Sequence, residues 1–69
     1  MMKMNGIPDG LIIARYVKYP FTWTCRISNG FYCATFHVRY TNVTYYSKDK
    51  EEINNLIRKE LADGFKRVQ

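Results

Sequence analysis

From Phe21 to Val38 apolar and polar side chains alternate with a period of two, and the alternation breaks once, at Asn29-Gly30. That dipeptide is the strongest short-range signal for a two-residue hairpin turn, because both central residues of a type I′ turn need positive φ. With Asn29-Gly30 as the loop, Trp23 faces Phe36, Cys25 faces Ala34 and Ile27 faces Tyr32, and Phe21 and Val38 extend the same apolar face. The other face pairs Thr22 with His37, Thr24 with Thr35 and Arg26 with Cys33, and adds Arg39. One buried and one wet face is what an antiparallel sheet with a single covering layer requires.

Leu11 to Tyr19 is rich in β-formers and predicts a preceding strand, broken by Pro20. Its odd positions (Leu11, Ile13, Arg15, Val17, Tyr19) and its even positions (Ile12, Ala14, Tyr16, Lys18) are both apolar enough to pack, so its buried side is open. Phe31 to Tyr40 forms the third strand. A turn at Thr41-Asn42 leads to a short fourth one, Val43 to Tyr46, with Val43 and Tyr45 on the apolar side and Thr44 and Tyr46 on the polar side. Ser47 to Asp63 is the one helix candidate. Ile53, Leu56, Ile57 and Leu61 make a single apolar stripe, Asp49 with Glu52 reads as a capping box, and Gly64 suits the C′ position. Phe65 is placed to fold back over the last turn.

The predicted fold is α+β: an antiparallel meander of three or four strands with one C-terminal helix packed on one face, in the order βββ(β)α. One domain spans 1–69, with an arm at 1–10, the sheet at 11–46, the helix at 47–64 and a tail at 65–69.

A chain of 69 residues supports a small core and leaves little material for a deep cleft. A binding surface is therefore expected, not a catalytic pocket. The formal charge is +5 and is unevenly placed. Residues 1–48 set Lys3, Arg15, Lys18, Arg26, Arg39 and Lys48 against Asp9 alone, whereas residues 49–69 are balanced. The excess favours anionic partners.

No catalytic or metal signature is present. Cys25 and Cys33 point to opposite sheet faces, which excludes a disulfide between them. His37, the sole histidine, lies about 13 Å along the strand from Cys33, too far for a direct hydrogen bond. Two such residues do not make a tetrahedral site. The expectation is a non-enzyme without cofactor or metal. No signal peptide and no apolar run of about 18 residues occurs, which predicts a cytoplasmic protein without a membrane partner.

The candidate site is the polar sheet face: Arg15, Arg26, Phe31, His37, Arg39 and Tyr46, with arginines for phosphate and base contacts and aromatics for stacking or partner anchoring.

The stretch CRISNGFYCATFHVRYTNVTYYSKDKEEINNLIRKEL resembles the three-strand-plus-helix DNA-binding module of tyrosine integrase arm-binding domains and plant-type AP2 domains. The resemblance covers roughly residues 21–62 and rests on element order and residue types. It implies DNA binding through the sheet. The chain is longer by the strand 11–19, and lacks the catalytic domain that follows in integrases. Its size and basic, aromatic-rich character are also similar to small bacteriophage accessory proteins, which implies the alternative of an inhibitor or adaptor that binds a host protein.

Overall fold

A computed structural model describes all 69 residues. Its strands are β1 (Met2–Asn5), β2 (Leu11–Lys18), β3 (Phe21–Ser28), β4 (Phe31–Val38), β5 (Thr41–Ser47) and β6 (Lys66–Arg67), and its helix is α1 (Lys50–Ala62). The six strands form one antiparallel sheet in the order β1-β5-β4-β3-β2-β6. The α+β class and the central meander agree with the sequence. The strand number does not: the arm and the tail each supply an edge strand. Neither segment has turn-bounded alternation of its own, because an edge strand of two to four residues takes its conformation from the neighbour it pairs with.

The β3–β4 register is the one read from the alternation, with Trp23 opposite Phe36, Cys25 opposite Ala34 and Ser28 opposite Phe31. Asn29 (φ 50°) and Gly30 (φ 80°) both take the left-handed conformation that the tight turn needs. The β4–β5 turn falls two residues earlier than expected, on Arg39-Tyr40, and Arg39 itself takes φ 47°. Thr41 and Asn42 belong to β5, where Asn42 faces His37. A displacement of two preserves parity, so Val43 and Tyr45 still share the face of Phe36 and Ala34.

β2 resolves its own ambiguity with a bulge. Ile12 faces Arg26 and Ala14 faces Cys25, so Ile13 is the extra residue. Before it, Leu11 shares the face of Ile27. After it, Ala14, Tyr16 and Lys18 share the face of Cys25, Trp23 and Phe21, while Arg15 and Val17 turn to the other side. Neither the odd nor the even set is buried along the whole strand.

Helix α1 packs over β4 and β5. The core joins Ala14, Trp23, Cys25 and Ala34 to Ile53, Ile57 and Phe65, with Tyr16, Tyr32, Phe36 and Tyr45 packed around them. Ile27 and Leu61 are about 40% exposed, at 41% and 42%, because the helix does not reach over that corner. Val38 also lies outside the cluster. Asp49 is the N-cap and accepts from the Glu51 amide at 3.0 Å. The reciprocal half of the expected capping box is replaced by a relay. The Asp49 amide donates to Ser47 Oγ at 3.0 Å, and Ser47 Oγ donates to Glu52 Oε1 at 2.9 Å. At the other end Phe65 N bonds Glu60 O and Gly64 N bonds Leu61 O, a Schellman ending with Gly64 at φ 103°. It drives Phe65 into the core.

Gly10 is required by contact, not by φ. A Cβ there would strike Ile27 O and press on Ser28 Cβ. Gly10→Ala is expected to push the start of β2 off β3 and cost about 1–3 kcal/mol, read as a lower melting temperature. An unchanged melting temperature counts against this close approach.

Candidate nucleic-acid interface

The helix-free face is the side of the sheet opposite α1. Facing residues share a face, so the register places Lys66, Arg15 and Val17 there, then Thr22, Thr24 and Arg26, then Phe31, Cys33, Thr35 and His37. Asn42, Thr44 and Tyr46 follow on β5, and Met2 and Met4 close the edge. None of the six strands carries a carboxylate.

Beneath the face runs a buried hydroxyl network. Thr24, Thr35 and Thr44 are at most 2% exposed, and the connection from β1 to β2 runs on this side of the sheet, with Gly6 O bonded to Thr44 and Pro8 and Asp9 beside Phe31, Cys33 and Tyr46. Thr35 Oγ1 and Thr44 Oγ1 are 2.8 Å apart, and Thr44 Oγ1 donates to Gly6 O at 2.7 Å, so Thr35 donates to Thr44. Arg26 Nη1 donates to Thr35 Oγ1 at 3.4 Å. The chain of bonds ties the centre of the sheet to the turn after β1. Thr44→Val strands both the Thr35 hydroxyl and the Gly6 carbonyl and is expected to cost about 1–3 kcal/mol. Thr35→Val leaves the Thr44–Gly6 bond in place and is expected to cost about 1 kcal/mol. Urea denaturation of the two variants checks the order; the reverse order would show that Thr35, not Thr44, anchors the arm.

Three of the six candidate residues gather. Arg15, Arg26 and His37 line a shallow groove of about 420 Å³ with Val17, Thr22 and Thr24. The chain's two ion pairs, Met1 ammonium with Glu52 and Arg58 with Glu51, involve neither groove arginine. Arg15 Nε, enclosed by its neighbours, has no hydrogen-bond partner. His37 is held on both sides: Nδ1 donates to Asn42 Oδ1 at 2.7 Å, and Nε2 lies 3.2 Å from Thr24 Oγ1. Its ring is positioned and its polar atoms are engaged.

Phe31 and Tyr46 share the face but lie at the Asn29-Gly30 end, packed edge-to-face on each other at 5.5 Å between centroids. Lys48 Nζ stands 5.4 Å from the Phe31 centroid. Met4, Asp9 and Asn29 border this corner. Arg39 lies not in the third strand, where the sequence predicts it, but exposed in the β4–β5 turn and outside the groove lining. The sequence missed Lys66, which reaches the face only through β6, and Asn42, whose side chain reads as a turn signal but orients His37. The mixed composition of residues 65–69 holds no signal that would have found Lys66.

Both cysteines are free and buried. Burial pushes the Cys25 thiol up to about 11, against the opposing pull of Arg67 and Arg26. Burial also raises Cys33, and Arg26 lowers it in part. Both are protonated at neutral pH and poor nucleophiles. No three metal-ligating side chains come together, and no helix is long and apolar enough to cross a membrane.

The geometry that remains is a groove lined by two guanidinium groups that make no ion pair, on strands without a carboxylate, and it is able to bind anionic oxygens. Comparison with known proteins adds nothing to it: no family model, no curated protein and no solved structure matches the chain.

Proposed function

We propose that the protein binds duplex DNA through the helix-free face of its sheet, with the backbone phosphates held by Arg15, Arg26 and Lys66. One observation carries the reading: two guanidinium groups line one groove on strands without a single carboxylate, and neither makes an ion pair. Arginine unpaired in this way is suited to planar recognition of phosphate. The acidic residues lie on α1, at its ends and in the β1–β2 loop, away from the groove. Thr22 adds a hydroxyl to the groove lining, and the buried Thr24 holds His37 in place beside it. The resemblance of residues 21–62 to modules that dock a sheet on DNA points the same way.

The competing reading is an inhibitor or adaptor that binds a protein. Its support is at the sheet end formed by the β2–β3 and β4–β5 turns, where Tyr19 and Tyr40 are 93% and 99% exposed. Titration of labelled duplex and single-stranded DNA at two salt concentrations separates the two. Salt-sensitive binding of duplex DNA is the expected result. No binding at low salt overturns the DNA reading and leaves the protein partner.

A further inference from the structure

The opposite face of the sheet is incompletely covered. α1 lies over β4 and β5, and the corner formed by β2 and β3 stays open. Leu11 is 71% exposed there, Ile13 40%, Ile27 41% and, from the helix side, Leu61 42%. Between α1 and β2 runs a groove of about 280 Å³, with Ala14, Tyr16, Cys25, Ile53 and Ile57 at its floor. The helical residues that line it, from Lys50 to Leu61, recur at spacings of three and four. The groove therefore follows the whole helix, about 16 Å at 1.5 Å per residue.

Its rim is cationic. Lys50, Arg58 and Arg67 line it, and no acidic residue does. Lys50 makes no ion pair. Arg67 is held over the groove by bonds to Gln69 O at 2.9 Å and Ile13 O at 3.4 Å, and no acidic side chain pairs with it. Arg58 has Glu51 at 3.8 Å, a loose pair in which both side chains are about two-thirds exposed.

We infer that this groove docks an acidic amphipathic segment of a partner protein, with its apolar side chains on the Ile13–Ile57 floor and its carboxylates on Lys50, Arg58 and Arg67. An apolar trough beside a helix is a common seat for such a segment. The charge selects the partner. A second copy packed about a two-fold axis would set this cationic rim against itself, in a chain of net charge +5, and like charges across an interface disfavour the complex. The trough is small and open for a small-molecule pocket, but suits a few aliphatic side chains. It lies on the face away from Arg15 and Arg26, so the inference stands apart from the DNA reading.

The probe is a fluorescent synthetic helix about four turns long, with leucines along one face and glutamates elsewhere. Its control carries lysine in place of every glutamate. By anisotropy the glutamate peptide is expected to bind, and the lysine peptide at least about tenfold more weakly. Ile13→Asp is expected to weaken the glutamate peptide about tenfold or more, and Arg58→Glu about fivefold. Both positions are exposed, and circular dichroism confirms that the variants fold. Amide shifts should map to Ile13, residues 50–61 and Arg67, and duplex DNA affinity should not change in Ile13→Asp. Any of three results overturns the proposal: no binding of the glutamate peptide, equal binding of the lysine peptide, or insensitivity to both variants. A dimer in sedimentation that Ile13→Asp dissolves would assign the groove to a second copy and overturn it as well.

Discussion

Trp23→Ala is expected to lose about 3–5 kcal/mol of folding free energy. A domain of this length holds roughly 3–10 kcal/mol in all, so the variant should be largely or wholly unfolded at room temperature. Trp23 is 4% exposed and sits at the centre of the sheet's covered face. It is 4.8 Å from Phe36 and 6.0 Å from Tyr45 between ring centroids. Removing it opens a cavity bounded by elements that cannot close in, because the sheet ladder fixes one wall and the Schellman ending fixes Phe65. Trp23→Phe is the informative partner. The indole Nε1 has no hydrogen-bond partner in the core, so phenylalanine discards an unsatisfied donor along with some volume. Its expected cost is below about 2 kcal/mol. Denaturation followed by circular dichroism measures both. A Trp23→Ala variant within about 1 kcal/mol of the native chain would mean that this face is not the core.

The second large effect is on the salt dependence of DNA binding. If Arg15, Arg26 and Lys66 each neutralise one phosphate, affinity should fall roughly 40-fold between 50 and 200 mM salt. The double variant Arg15→Ala/Arg26→Ala leaves one contact. Its affinity should be lower at 50 mM and should fall only about 3- to 4-fold over the same range. Arg58→Ala, on the other side of the molecule, should keep the native slope. Arg39→Ala is a sharper control: it removes the same charge from the turn instead of the groove, and should leave more of the slope than Arg26→Ala does. A double variant with the native slope would remove the groove from the interface.

Much of this fold was legible because one dipeptide fixes a register. Asn29-Gly30 sets the β3–β4 pairing, and alternation then sorts every residue of both strands by face. The same logic carried across the misplaced β4–β5 turn, since an error of two residues leaves parity intact. It could not carry across Ile13. A bulge reverses parity within a strand, and the signal for it is an absence: both sides of Leu11 to Lys18 are apolar, so neither phase stands out. The helix stripe was legible at Ile53 and Ile57, which are buried, but not in how far the helix would reach, which left Leu61 exposed.

The site was legible in part for the same reason. Arg15, Arg26 and His37 converge because strand parity puts them on one face. The turn at Arg39 was not legible, because arginine is not a residue that signals the positive φ adopted there. The threonines were readable as β-formers but not as a network. Their network closes on the Gly6 carbonyl, 38 residues from Thr44, in a connection whose path over the sheet has no local signal.

The order of strands across the sheet also sets an order in time. Every neighbouring pair within β2 to β5 is joined by a two-residue turn and closes a short loop. β1 pairs with β5, and β6 with β2, across most of the length of the chain. Short loops close at the smaller entropic cost, so hairpins precede distant pairings in folding. The two ends of the chain therefore dock last, onto a meander already formed, and open first. Amide exchange should be slowest in β3 and β4 and fastest in β1 and β6. Lys66, carried by one of the last strands to dock, joins the helix-free face only when folding is complete.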